Sequence, residues 1–463
     1  MPTRRRALAG LAATAAPFAL VTTPHKALAA PSEAEIDQAG RDLFFGSRSK
    51  FDEALTVFEA HGGPEMAALL IFSLRFSPHA NRPIQETLVR VTGTAAPQDW
   101  FDWMLWQENN PEVVPHRSYA GLKRELFLDI DPNFELFLRP EHLERDAMKI
   151  RFEEVTWGGV RKDGIPSLDA PEMIAAGEAG YLNDDDLVFG VEIEGDVRAY
   201  PLRIMGWHEM FNDVIGGVPV ALAYCTLCGA GILFETAVEG RERPFIFGSS
   251  GFLYRSNKLM FDRETHSLWN QFTGQPVQGP LVDSGIALGQ RPVTIEHWGT
   301  WRRRNPGTTV LSLDTGYVRN YGSGVVYNDY FASPDLMFPT RVDQSRAKQK
   351  DYVFGIRTFG GAKAWPLKAF DGGKVINDHV AGLNVVLVGD THGRTVRAYD
   401  SQGLDFRAGG DGREVVADGA IWRVTEAALV ATDGRKAPRV AGHVAYWFAW
   451  DGYLGARSDF YEG

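Results

Sequence analysis

A shift of 165 residues lays one stretch of this chain over another without a gap. Val188-Phe189-Gly190 falls on Val353-Phe354-Gly355, Gly195 on Gly360, Ala199 on Ala364 and Pro201-Leu202 on Pro366-Leu367. Farther along, Asn212-Asp213 meets Asn377-Asp378, Gly217 meets Gly382, and Val220 and Leu222 meet Val385 and Leu387. One ungapped register over about forty residues restricts the chain to folds that hold the same unit twice. Two copies indicate a duplicated domain, not a solenoid. A fainter echo pairs Trp298-x-x-Trp301 with Trp447-x-x-Trp450.

Duplication supplies an internal control. Positions kept in both copies serve the shared fold, and groups present in one copy alone are candidates for function. Asn212-Asp213 recurs, so turn chemistry is expected there, because Asn and Asp bond their own backbone and tolerate φ > 0. His208 instead lines up with Gly373, Cys225 with Asp390 and Cys228 with Gly393. The second copy lacks all three together.

Cys225-Thr-Leu-Cys228-Gly229 stands between two apolar runs that read as strands. In thioredoxin-like proteins a CxxC opens a helix, whose dipole lowers the thiol pKa. The Ala230-Gly231 that follows suits a helix poorly, and a turn between strands looks more like a metal knuckle. Two thiolates need further ligands for a tetrahedral site. His208, seventeen residues upstream, is the third-ligand candidate if the chain folds back at Gly216-Gly217. The expected metal site is therefore His208, Cys225 and Cys228, with both sulfurs and a ring nitrogen converging at about 2.0–2.4 Å. Met205, Met210 and His266 compete for the fourth position. Glu209 reads either as a partner fixing the imidazole tautomer or as a surface charge. Thiolates with an imidazole suit copper, zinc or iron.

Three functions remain open at this stage. The first is a metal-binding protein, with oxidoreductase activity as one form of it. The second is a thiol–disulfide redox protein, and the third a ligand-binding module with structural cysteines. Gly248-Ser-Ser-Gly-Phe-Leu-Tyr254 lacks the lysine of a phosphate loop and reads as a turn against the site. The run Asp262 to Gln271 is polar and aromatic enough to line a pocket, although Arg263 and Glu264 also read as an ordinary surface pair.

Residues 1–30 read as a signal peptide of the twin-arginine type. Arg4-Arg5-Arg6 precede an Ala/Leu-rich run, and Ala27-Leu28-Ala29 gives a small-x-small exit. The expected location is therefore exported, periplasmic or extracellular. No later stretch reaches the ~18–20 apolar residues of a membrane span. A net charge of −11 leaves no basic stripe for nucleic acid. Expected partners are an unidentified small molecule or a redox partner. Between 31 and 150 the apolar spacing is helical, with a stripe of Trp100, Trp103, Met104 and Trp106. Short Val/Ile/Phe/Tyr runs separated by glycine follow, as in a hairpin-rich domain. The expected fold class is α+β, a helical domain followed by a β-rich, internally duplicated one. Its parts are repeat 1 over 151–313, a linker over 314–351 and a degenerate repeat 2 over 352–463.

Several fragments together resemble a known family. They are Trp157-Gly-Gly-Val160, Lys162-Asp-Gly-Ile-Pro166, Ala199-Tyr-Pro-Leu202, Trp207-His208-Glu209 and Tyr224-Cys-x-x-Cys-Gly229. Ser250-Gly251, Asp262-Arg-Glu-Thr265 and Leu268-Trp269 complete the set. These are similar to the domain of unknown function 3179 (DUF3179) over about 150–313, and the C-terminal half resembles the weaker second part of that family. The resemblance implies that His208, Cys225 and Cys228 belong to the family pattern, and it implies no particular activity.

Overall fold

The computed structural model describes residues 31–410 and 412–463. The signal-peptide reading lies outside them. Six helices, from Glu33–Phe45 to Ser118–Ile130, build the N-terminal region. Ser32 and Glu35 form a reciprocal capping box at the first, Ser47 and Asp99 cap others, and Gly93 in the left-handed region stops Asn81–Thr92. Leu69, Leu70, Trp103 and Phe127 are buried among these helices. Phe127 also stacks on Phe252 of the β region. Among the described residues no helix is long and apolar enough to cross a membrane.

Lys123 ties the helices to the rest. Its Nζ donates to the carbonyls of Phe152 and Val155, both at 2.6 Å, and lies 3.0 Å from the Tyr119 hydroxyl. Burial pulls its pKa down to about 7. Its three N–H groups have three oxygen acceptors, the two carbonyls and the Tyr119 hydroxyl.

The 165-residue shift carries strands onto strands. Leu187–Ile193, Asp196–Pro201, Val218–Cys225 and Ala230–Glu235 map to Tyr352–Thr358, Gly361–Pro366, Leu383–Asp390 and Thr395–Asp400. Pairing repeats as well. Thr294–His297 runs antiparallel to Leu187–Ile193, as His443–Tyr446 does to Tyr352–Thr358. Thr309–Leu311 lies parallel to Asp196–Pro201, as Ser458–Phe460 does to Gly361–Pro366. The paired tryptophans have one job in both copies. A Cβ added at Gly190 would enter the ring of Trp301, and one at Gly355 the ring of Trp450. Glycine lets each indole lie directly on the strand.

Asn212-Asp213 and Asn377-Asp378 are not in turns. They sit inside Met210–Ile215 and Lys374–Val380. The turns are at Gly216-Gly217 and Ala381-Gly382, where all four residues have positive φ, as a two-residue hairpin requires. Asn212 exchanges two hydrogen bonds with the backbone of Phe247 (2.8 and 2.9 Å), and Asn377 does the same with Phe406. Asp213 accepts from Tyr200 and Arg198, and Asp378 from Trp365 and Lys363. The pair recurs because its side chains clip one strand to others. The glycine-rich run before Tyr254 is likewise no turn, being the buried strand Phe247–Tyr254.

Gly190→Ala and Gly355→Ala should each destabilise the chain by roughly 1–3 kcal/mol, since neither indole has room to retreat. Gly307→Ala, whose Cβ meets nothing within 4 Å, is the control. Chemical denaturation measures all three.

Candidate functional site

Met210–Ile215 and Val218–Cys225 form a hairpin in which Met210 pairs with Ala223. The Tyr224 amide donates to the Glu209 carbonyl at 2.8 Å. His208 ends the helix Leu202–His208, and Glu209 leads from it into the hairpin, so the expected fold-back at Gly216-Gly217 brings His208 and Cys225 to the same end. Thr226 to Gly229 then turn the chain into Ala230–Glu235, with Gly229 at φ 58°.

Cys225 and Cys228 are joined in a disulfide, with their Cα atoms 5.2 Å apart. They are 2% and 0% exposed, so no reagent reaches either sulfur without movement of the cover. Cys228 Sγ lies 2.7 Å from Asn257 Oδ1 and 3.5 Å from the Ser256 carbonyl.

The imidazole of His208 is engaged elsewhere. Nδ1 lies 2.9 Å from the Pro166 carbonyl and Nε2 2.6 Å from the Tyr321 hydroxyl. A carbonyl only accepts, so Nδ1 carries the proton and Nε2 accepts from Tyr321. Burial lowers the ring's pKa, which favours this neutral form. Met205 and Met210 are fully buried, and His266 lies at a turn with its ring stacked on Phe261. Among the described residues no group of three or more His, Cys, Asp or Glu is placed to hold a metal ion.

Glu209 holds the position beside the cysteines. It caps the helix Leu202–His208 at φ 53°, in the left-handed region, and is buried. Its carboxylate accepts from Thr226 Oγ1 at 2.6 Å, Lys258 Nζ at 3.2 Å and the Tyr327 hydroxyl at 3.4 Å. It is therefore neither a surface charge nor a partner of the imidazole. Burial lowers the Lys258 pKa, while Glu209 opposes the shift. Glu209 had a legible signal, because the shift places exposed Lys374 at its position in the second copy. Lys258 had none, lying beyond the aligned stretch.

The expected linker folds across the site as a strap. Tyr321 reaches His208, Tyr327 reaches Glu209, and the Tyr330 hydroxyl donates to the Leu227 carbonyl at 2.7 Å. Gly206 leaves space for Val326, which a Cβ would strike. The second copy completes the enclosure. Its stacked Tyr352 and Tyr446 rings abut Gly229, and the Tyr446 amide donates to the Cys228 carbonyl at 2.8 Å.

The polar run after Asp262 is structural. Asp262 accepts from Thr265 and Trp269, while Gln271 Nε2 donates to the Ala223 and Ala230 carbonyls. Arg263 and Glu264 do not pair with each other; they bind Asp163 and Arg241.

The family model for a protein of unknown function, DUF3179, matches residues 162–456 and so spans both copies. Trp157–Val160 and the helical region lie before the match. No curated protein and no solved structure matches the chain.

Lys258→Met should cost about 3–5 kcal/mol, because it leaves the Glu209 carboxylate buried without its counter-charge. Adding Glu209→Leu should recover most of that loss. Urea denaturation of the single and double variants gives the coupling, and equal losses in both would remove the pair's electrostatic role.

Proposed function

The chain belongs to the DUF3179 family, and we propose that its Cys225–Cys228 pair is a thiol–disulfide redox centre that takes two electrons from an external dithiol. The observation that carries this reading is a four-residue disulfide lying beside a buried Glu209–Lys258 ion pair. As a staple the disulfide is weak. Closing so short a loop removes only about 2 kcal/mol of unfolded-chain entropy. Burying an ion pair is a poor route to stability. The second copy builds the same hairpin with Asp390 and Gly393 in place of the cysteines.

The surroundings of Cys228 support the same reading. An oxidised sulfur has no proton, yet two oxygen acceptors, from Asn257 and Ser256, face this one. A reduced Cys228 can donate its single S–H to one of them, so the surroundings accommodate the thiol as well as the disulfide.

The exchange balances as follows. A thiolate of the dithiol attacks Cys225 Sγ, the Cys225–Cys228 bond breaks, and Cys228 leaves as a thiolate that takes up a proton. The dithiol's second thiolate then attacks its own sulfur in the mixed disulfide. Cys225 is released as a thiolate and protonated, and the dithiol departs as a disulfide. Glu209, held by Lys258 and bonded to Thr226 next to Cys225, positions the turn through both steps. Tyr327 and Tyr330 must lift for the first attack. The signal-peptide reading of residues 1–30 supports an exported location, where an oxidising medium would return the pair to the disulfide.

A metal-binding function uses the same sulfurs in their reduced state. Its support is the neutral imidazole of His208, which ends the helix leading into the same end of the hairpin. It requires His208 to leave Pro166 or Tyr321 and join copper, zinc or iron.

One experiment separates these readings. The full chain is treated with excess dithiothreitol under native conditions and its thiols are counted with a maleimide mass tag; separately, the oxidised chain is mixed with a peptide dithiol without dithiothreitol, and peptide oxidation is followed. Redox function predicts two titratable thiols and oxidation of one peptide dithiol per chain, lost in both Cys225→Ser and Cys228→Ser. Resistance of the folded disulfide to dithiothreitol, or peptide oxidation kept in both variants, contradicts it. Stoichiometric zinc or copper uptake by the reduced chain, lost in His208→Ala, would favour the metal site instead.

A further inference from the structure

A cavity of about 940 Å³ opens between the helix Ser118–Ile130 and the segment 140–153, apart from the cysteine site. Tyr119, Ile150, Phe152 and Tyr254 form an apolar wall, and each keeps between 4% and 9% of its surface exposed. The charge around the cavity is opposite to that of the chain. Five arginines and lysines line it against three carboxylates, whereas the chain's net charge is −11. Three of those cations are only loosely engaged. Arg117 and Lys149 hold only exposed partners, Glu33 and Asp283, and Arg145 lies 3.8 Å from Glu153. The exposed Arg117 and Lys149 pairs contribute little and exchange readily for a better-placed anion, while Arg145 is half exposed and reaches the buried Glu153 only at the edge of pairing distance.

We infer that this cavity binds a small amphiphilic carboxylate, with its apolar chain along the aromatic wall and its head at Arg145 and Lys149. An apolar concavity with a few convergent polar groups is the usual form of a small-molecule site. The cationic rim selects the anionic head, and the wall selects the chain. Gly121 provides a direct handle. It lines the cavity, and a Cβ added there meets nothing within 4 Å. A large side chain at this position fills the cavity without displacing the core.

The test is calorimetric titration of the full chain with dodecanoate below its micellar concentration. Dodecyltrimethylammonium serves as a probe with the same tail and the opposite charge. Saturable one-to-one binding of dodecanoate is expected, with the cation at least roughly tenfold weaker. Gly121→Phe should abolish binding while its thermal melt stays at the wild-type temperature. The double variant Arg145→Glu/Lys149→Glu, on exposed side chains, should weaken dodecanoate by roughly tenfold or more and narrow the preference over the cation. That variant decides the matter if Gly121→Phe fails to fold. No saturable binding, equal binding of the two amphiphiles, or unchanged affinity in a folded Gly121→Phe overturns the assignment.

Discussion

Asn212 and Asn377 each exchange two hydrogen bonds with the backbone of a strand or segment outside their own hairpin, at Phe247 and Phe406. An amide side chain in that role satisfies a buried N–H and a buried C=O together, and it fixes register because a slip of one residue would turn it to the other face. Asp213 and Asp378 extend the clip to the neighbouring strand, and Trp301 and Trp450 press onto glycines behind it. With both scaffolds fixed this way, the end of the first hairpin is free to carry groups the fold does not need.

Much of this was legible in the sequence, because duplication turns a single chain into its own comparison. Strand limits fall on one another at the 165-residue shift, and the cysteines stand out as residues of one copy. Asn and Asp favour turns locally, but the pair's partners lie on other strands and loops, 13 to 15 residues from the aspartates and 29 to 35 from the asparagines. His208 followed the expected backbone path, but its ring is held by Pro166 and Tyr321, 42 and 113 residues distant. Nothing periodic marks such partners. The strap is the plainest case, since residues without helix or strand pattern read as a linker while their tyrosine hydroxyls reach over the site.

The two copies have divided the work. The second carries Tyr352 and Tyr446 against Gly229 and has no cysteine. The first concentrates a disulfide, a buried ion pair and a neutral histidine within one hairpin end. None of these three groups recurs in the second copy, which separates them from the repeated framework.

Comparison of the melting temperatures of the oxidised and the dithiothreitol-reduced chain tests this division directly. If stability resides in the duplicated framework, reduction should leave a cooperative transition lowered by only about a few degrees, in keeping with the short loop closed by Cys225 and Cys228. Loss of the folded state on reduction would instead make the disulfide a structural staple and contradict the redox assignment.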